Sequence, residues 1–571
     1  MDLHIAPLPR SPVSRAVLDR AETVTGALAT LVEAYGDFPA LTFLDGRGHE
    51  QRVTLAALWA RARQLQAVLM ERGLAPGEVV LLALPTSPEL TAAYFGAMLA
   101  GGVPALVATP FHRFAEPRVY ANLIGPILEV AHARLLYGTD EVAAICRADA
   151  ALPLRDTVVM TPSEVAASTP PPVVTPRPGD IAMIQYTSGS TGASKGVLLT
   201  HRAIVNNMRA TREGLGVYAD DINVNWAPLY HDMGLIETFL RPLCTGSPAV
   251  LMPTADFVRN PALWLWAIHH YRGTVSWAPN FAYTLCAKRV PERDLTGLDL
   301  SSWRLAINGS EPCLAETIEA FAERFAPYGY APEAHTPVWG VAEAVCIATA
   351  HPVRERPRIE TLDRQALATQ SVARPTAGAG MRCVSIGTLL PRCTVEIRSA
   401  DGDVLPERVV GKIWVRTSSL FEGYQRHPEL TARVLVDGWV DTGDRGYLAG
   451  GHLFFVSRDK DLIIIGGEKY APHDIETAIN PVPGVREGCA VAFGVLNTER
   501  GTEDIGVVAE TKENDDAGLT AIRDEIRRAV MRATGLGVRY VVLVPPGGIQ
   551  KTTSGKLARS GTRQRYADQL V

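Results

Sequence analysis

The stretch that most constrains this chain is Tyr186-Thr187-Ser188-Gly189-Ser190-Thr191-Gly192-Ala193-Ser194-Lys195-Gly196. An apolar run, Ile181 to Tyr186, leads in, and a second, Val197 to Leu199, leads out. Both read as short strands, so the segment is a loop joining them. Three glycines, five Ser/Thr hydroxyls and one lysine fall within these eleven residues. Glycine lets a backbone approach an anion and aim N–H groups at it. The hydroxyls add donors, and Lys195 adds a mobile positive charge. That composition suits a phosphate cradle; a polar surface turn is the alternative. It is not a Walker loop, which needs Gly-Lys-Ser/Thr followed at once by a helix. Here Lys195 follows Ser194, precedes Gly196 and enters a strand.

With 571 residues the chain can hold a large body and a smaller domain. Thr54 to Arg72 predicts a capped amphipathic helix with Leu55, Leu58, Trp59, Ala62, Leu65 and Leu69 on one face. Val79 to Leu84 reads as a buried strand, Pro88 to Ala100 as a helix and Val103 to Val107 as a strand. That order implies an α/β sheet. A proline-rich connector spans Thr161 to Asp180, and Thr200 caps a helix through Asn207. A net charge of −5 provides no basic excess for a nucleic acid. The eight scattered cysteines read as reduced thiols of a cytoplasmic protein. No apolar run is long enough to span a bilayer, and the N-terminus lacks a signal pattern.

Further polar segments follow apolar runs. Leu229-Tyr230-His231-Asp232-Met233-Gly234-Leu235 offers His231 as a donor to developing phosphate charge; alone, the His-Asp pair is a loop hydrogen bond. Ala278-Pro279-Asn280-Phe281-Ala282-Tyr283 offers an aromatic wall for an acyl tail, or ordinary core packing. In Asn308-Gly309-Ser310-Glu311-Pro312 a flat base could approach the glycine, or Pro312 could simply start a helix. Trp339-Gly340-Val341-Ala342-Glu343 pairs a stacking aromatic with a hard oxygen ligand suited to Mg²⁺. Asp441-Thr442-Gly443-Asp444 and Ser554-Gly555-Lys556 are, in isolation, a turn and a solvated lysine.

In this order the segments resemble those of the adenylate-forming enzymes: acyl-CoA synthetases, luciferases, peptide-synthetase adenylation domains and fatty acyl-AMP ligases. The resemblance runs from about Thr54 to Leu557. It implies an α/β adenylate-forming fold with a large body of mixed sheets and helices, residues 1–459. A small mobile α+β domain, residues 460–571, would turn about a hinge at Lys460. It implies ATP and Mg²⁺ as cofactors. Thr187, Ser188, Gly189, Ser190, Thr191, Gly192 and Lys195 would hold phosphates. Ser310, Glu311 and Pro312 would edge the adenine, beside Trp339, Gly340, Val341 and Ala342. Glu343 would bind the metal, Asp444 the ribose, and Arg458 the ribose or phosphates. Lys556 would bridge the substrate carboxylate and the α-phosphate, with His231 and Lys195 as further catalytic groups.

Several features resemble the fatty acyl-AMP ligase branch. These are the Leu-Tyr-His-Asp-Met-Gly-Leu form, Ala342 where the superfamily has Thr, and a long stretch within about 351–386. That stretch includes Thr361 to Leu367 and Cys383 to Gly387, and resembles an insertion that restricts the small domain and disfavours CoA. The implied activity is activation of a fatty acid to acyl-AMP with release of pyrophosphate. Transfer to the phosphopantetheine thiol of an acyl carrier protein, or of a polyketide or peptide synthase carrier domain, would follow. The nearest alternative is a fatty acyl-CoA synthetase. A third is an inactive ATP-binding regulatory protein, against which intact Lys195, Glu343, Asp444 and Lys556 argue.

Overall fold

The computed structural model describes residues 7–13, 16–110, 116–166, 168–188, 194–497, 500–552 and 555–570. Local rules explain its first elements. The helix Leu55–Glu71 starts where the Thr54 hydroxyl accepts from Ala57 N–H, and it buries Leu55, Leu58, Ala62, Leu65 and Leu69. Pro88–Leu99 starts with proline in its first turn behind a Ser87 cap. The strand Val79–Ala83 is buried along its whole length. It lies inside a four-stranded parallel sheet ordered Val103–Leu106, Val79–Ala83, Leu135–Gly138, Val158–Met160.

Two boundaries depart from the sequence reading. The helix capped by Thr200 runs His201–Leu215, past Asn207, and stops at Gly216 with φ 56°. Asn206 and Asn207 do not break it, because their side chains donate outward, to Ser418 O and to Ala344 O and Ile347 O. Pro312 does not start a helix, and Ala315–Phe325 begins three residues later. Residues 311–314 are held against the start of the helix Asn280–Arg289 instead. The Glu311 carboxylate accepts from Phe281 N–H, and Leu314 N–H donates to Asn280 Oδ1.

The largest sheet has nine strands, and its middle is parallel. Four neighbours across it are Asn223–Asn225, Val275–Ala278, Leu305–Asn308 and His335–Trp339. Their carboxyl ends lead directly into the His231, Phe281, Ser310 and Glu343 segments. Ligand sites of open α/β sheets form at such ends. A separate antiparallel sheet joins Ile181–Ser188, Ser194–Thr200 and Gly423–Tyr424. Another carries Trp439–Ala449 between Gly411–Thr417 and His452–Arg458.

Past Lys460 the chain builds two cores of its own, one around Ile463, Ile475, Val507 and Ile526, the other around Val491, Val508 and Ile549. The sequence there predicts strands at Cys489 to Val495, Ile505 to Glu510 and Tyr540 to Val544 and a helix at about Leu519 to Thr534, and each appears with a longer end: strands Val485–Asn497, Thr502–Thr511 and Val538–Val544, and the helix Asp516–Thr534. The stretch after Glu343 is not a loose surface loop. Ile359–Leu362 and Met381–Val384 pair antiparallel around the helix Arg364–Gln370. Leu362, Ala373, Met381 and Cys383 share a core with Tyr447, Phe454 and Ala471.

Candidate active site

Gly189 to Ala193 of the glycine loop lie outside the described residues, as do Thr553 and Ser554. Around the loop, Thr187 pairs with Lys195 and Ser188 with Ser194 across the antiparallel strands. The third strand brings in a residue the sequence reading missed, Tyr424. The Lys195 ammonium stands over the Tyr424 ring, 5.1 Å from its centroid. The Tyr424 hydroxyl donates to Glu343 Oε1. Burial, with the Glu343 carboxylate beside it, raises the Tyr424 hydroxyl well above the usual phenol range, so it remains a donor. Tyr424 thereby joins Lys195 and Glu343 into one cluster.

The Glu343 turn is tightly fixed. A Cβ at Gly340 would sit 1.8 Å from Cys346 O, so only glycine lets these two backbones pass. Val345, two residues after Glu343, holds φ 72°, an unusual conformation for a β-branched residue. Phe421 N–H donates to the Glu343 carbonyl. Among the described residues, Glu343 Oε2 has no protein partner.

Trp339 is 7 % exposed, and its Nε1–H donates to Asp444 Oδ2 at 2.9 Å. The polar edge of the indole is therefore used to orient a carboxylate. Asp444 Oδ1 faces Arg458 Nε at 3.5 Å, from the residue that pairs with it in the sheet. Burial raises the Asp444 carboxyl above its ordinary range, against the pull of Arg458. Lys460 is exposed, on the short turn Asp459–Asp461.

A third cluster joins the middle of the chain to its C-terminal segment. Lys556 Nζ lies 3.1 Å from His231 Nε2, across 325 residues. Burial pulls the Lys556 ammonium below the usual lysine range, only partly offset by Asp232. An ammonium can only donate, so the Nε2 facing it is an acceptor. In this arrangement His231 holds Lys556, where the sequence reading made it a donor to phosphate. Nearby, Ser310 takes φ 71°, and its hydroxyl meets Met233 Sδ at 3.8 Å. Phe281 borders this loop, since a Cβ at Gly555 would lie 3.6 Å from its ring. Tyr283 does not line the site: it is fully buried, and its hydroxyl donates to Ile307 O.

A nine-stranded sheet delivering polar segments from adjacent parallel ends, with a C-terminal lysine reaching into them, defines an adenylate-forming enzyme. The AMP-binding enzyme family profile matches residues 28–425, and the chain belongs to that family. A Caulobacter vibrioides protein bearing the name acyl-CoA synthetase is 35% identical over 557 residues, 93% of this chain and 96% of that protein. The long-chain-fatty-acid–AMP ligase FadD26 of Mycobacterium marinum is 31% identical, covering 92% of this chain and 94% of its own. A structure from work on fatty acyl-adenylate ligases of E. coli and L. pneumophila superposes with a TM-score of 0.90 at 32% identity, covering 98% of this chain and 99% of that one. No helix among the described residues is long and apolar enough to cross a membrane.

Proposed function

We propose that this chain is a fatty acyl-AMP ligase. It activates a fatty acid with ATP and passes the acyl group to a phosphopantetheine thiol on a carrier protein. The observation that carries the reading is the Lys556 ammonium, delivered from the C-terminal segment to His231 on the body, where no carboxylate among the described residues pairs with it directly. A carboxylate attacking a polyphosphate meets like charge, so the site must supply cations and hold the reactants in line. Lys195 and Lys556 are those cations. Asp444, oriented by Trp339 and Arg458, accepts the ribose hydroxyls. Attack on the α-phosphate breaks its bond to the leaving pyrophosphate and gives acyl-AMP. A thiol then displaces AMP to give a thioester. The eight cysteines, all free, support a reducing cytoplasmic setting.

Mg²⁺ fits at Glu343. One oxygen is held by Tyr424 and the other is open, and Mg²⁺ characteristically takes one or two carboxylates plus substrate phosphates. The described residues contain no cluster of three or more His, Cys, Asp or Glu that would build a protein cage. Bound there, the ion would neutralise charge on phosphate oxygens. Tyr424→Phe is therefore expected to raise the Mg²⁺ concentration for half-maximal ATP–pyrophosphate exchange about tenfold, the scale of losing an outer-shell partner. An unchanged Mg²⁺ titration would separate Tyr424 from the metal.

Mass spectrometry of products from a ladder of fatty acids, with CoA or with a phosphopantetheinylated carrier, tests the whole reading. Acyl-AMP that persists with CoA and disappears onto the carrier is expected. Rapid acyl-CoA formation would favour a CoA synthetase, the second reading, which the Caulobacter relative's name supports.

The stretch within 351–386 supports the first reading. Arg364 makes a bidentate pair with Asp474, on the helix Pro472–Ile479 of the C-terminal segment, at 2.9 and 2.8 Å. Glu360 is tied to Arg358, Arg408 and the Tyr447 hydroxyl. Deleting 360–380 would strip Leu362 and Ala373 from a core, so Arg364→Ala is the cleaner test. A partly buried bidentate pair holds about 1 kcal/mol, so the variant is expected to raise acyl transfer to CoA about fivefold. No gain in a folded variant would remove this pair from acceptor control.

A further inference from the structure

Asp232 has no part in the chemistry above, yet it sits behind the residue that receives Lys556. Its Oδ1 lies 2.6 Å from His231 Nδ1 and accepts the Met233 backbone N–H at 2.6 Å. The two side chains are only 20% and 17% exposed. On the far side of the same ring, His231 Nε2 lies 3.1 Å from Lys556 Nζ. A carboxylate only accepts and an ammonium only donates. Met233 N–H also points at Nδ1, at 3.3 Å, but its shorter bond is the one to Asp232, and Asp232 and Lys556 together favour the tautomer with the proton on Nδ1 and the lone pair on Nε2. Burial alone would raise the Asp232 carboxyl, but the facing His231 ring and Lys556 ammonium hold it below the usual carboxylate range.

We propose that Asp232 is a positioning residue for adenylation: it fixes His231 as an acceptor and thereby holds the Lys556 ammonium in the site. The proposal rests on the reading of Lys556 as the adenylation lysine. The opposite tautomer would point Nε2–H at an ammonium, two donors head-on. Thr552 N–H donates to Lys556 O at 2.8 Å, and Lys556 N–H donates to Thr552 Oγ1 at 3.2 Å. Nothing in those contacts sets where the ammonium goes. Gly234 explains why the pair stands where it does. A Cβ there would meet Pro228 O at 2.1 Å, so the chain folds tightly back over the His231 turn as the π-helical segment Met233–Leu240 begins.

The test compares two half-reactions in the full chain. Asp232→Asn keeps the side chain's volume but allows the ring either tautomer. It is expected to slow ATP–pyrophosphate exchange about 10- to 100-fold in kcat, the scale of losing a histidine's orienting partner, with KM for ATP nearly unchanged. Acyl transfer from supplied acyl-AMP to a phosphopantetheinylated carrier should stay at the parent rate, because Lys556 acts in adenylation. In a Lys556→Ala background, Asp232→Asn should add almost nothing. Equal losses in both half-reactions, or an undiminished loss in the Lys556→Ala background, would overturn the proposal and leave Asp232 a fold-holding residue. If Lys556→Ala itself adenylates normally, the parent reading falls and this proposal with it. If Lys556→Ala is inactive and Asp232→Asn is not impaired, only this proposal falls. A measurement on the unaltered chain covers poor folding of Asp232→Asn. The imidazole ¹⁵N shifts of His231, assigned by their loss in His231→Gln, should report Nδ1–H, and an Nε2–H ring overturns the proposal.

Discussion

Lys556→Ala is expected to lower acyl-AMP formation about 100- to 1,000-fold while leaving the fold intact. The figure corresponds to about 2.7–4 kcal/mol, the loss typical of one donor aimed at developing charge. The reasoning starts from a mismatch. A lysine ammonium drawn into a partly dry site normally faces a carboxylate, but the described protein partner of Lys556 is a neutral ring nitrogen. Burial pulls its pKa down, and Asp232, behind the His231 ring, offsets this only in part. A cation held at such a cost is placed for an anion that arrives with the substrate. Its removal should therefore leave thermal stability unchanged or slightly improved while exchange collapses. Paired measurements of ATP–pyrophosphate exchange and the melting midpoint separate the two effects. Near-normal exchange would take Lys556 out of the mechanism.

How much of this was legible in the sequence depends on distance along the chain. The helix Leu55–Glu71 and the strand Val79–Ala83 follow from local periodicity and capping, and both appear within a residue or two of expectation. The C-terminal strands run past the apolar stretches that mark them in the sequence. Their ends, such as Thr502 and Asn497, are polar residues paired across a hairpin rather than apolar ones. The π-helical segment Met233–Leu240 is buried throughout, so no polar face marks its period. The site motifs were readable because each keeps its chemistry in a few consecutive residues. The links between them were not. Tyr424 reaches Glu343 across 81 residues, and Trp339 reaches Asp444 across 105. Trp339 shows the consequence. Its ring suggested stacking, but the neighbour that takes its N–H is invisible until the antiparallel sheet is folded. Likewise His231 reads as a donor until Lys556 occupies the facing nitrogen.

Glu237→Gln is expected to cost about 3–5 kcal/mol of stability, the penalty for stranding one member of a buried ion pair. Glu237 and Arg241 are both fully buried, with Arg241 Nε donating to Glu237 Oε2 at 2.8 Å. Glu237 Oε1 accepts from the Thr211 hydroxyl, and Arg241 donates to Asn223 Oδ1. Burial raises the Glu237 carboxyl and lowers the Arg241 guanidinium, each against its partner's attraction. The pair is thus tolerated because it is closed, and one buried Arg241 nitrogen, Nη1, already lacks a partner. Neutralising Glu237 leaves the guanidinium charge uncompensated at the junction of the helix His201–Leu215, the strand Asn223–Asn225 and the segment that follows His231. Stability and site geometry should therefore fail together. Urea unfolding with ATP–pyrophosphate exchange is the measurement, and a loss under about 1 kcal/mol would refute the assignment. The matching control replaces both members, Glu237→Leu with Arg241→Met. Because two apolar side chains need no counter-charge, the double variant should recover most of the stability that the single one loses. If it does not, the hydrogen bonds to Thr211 and Asn223 hold the junction, rather than the balance of charge.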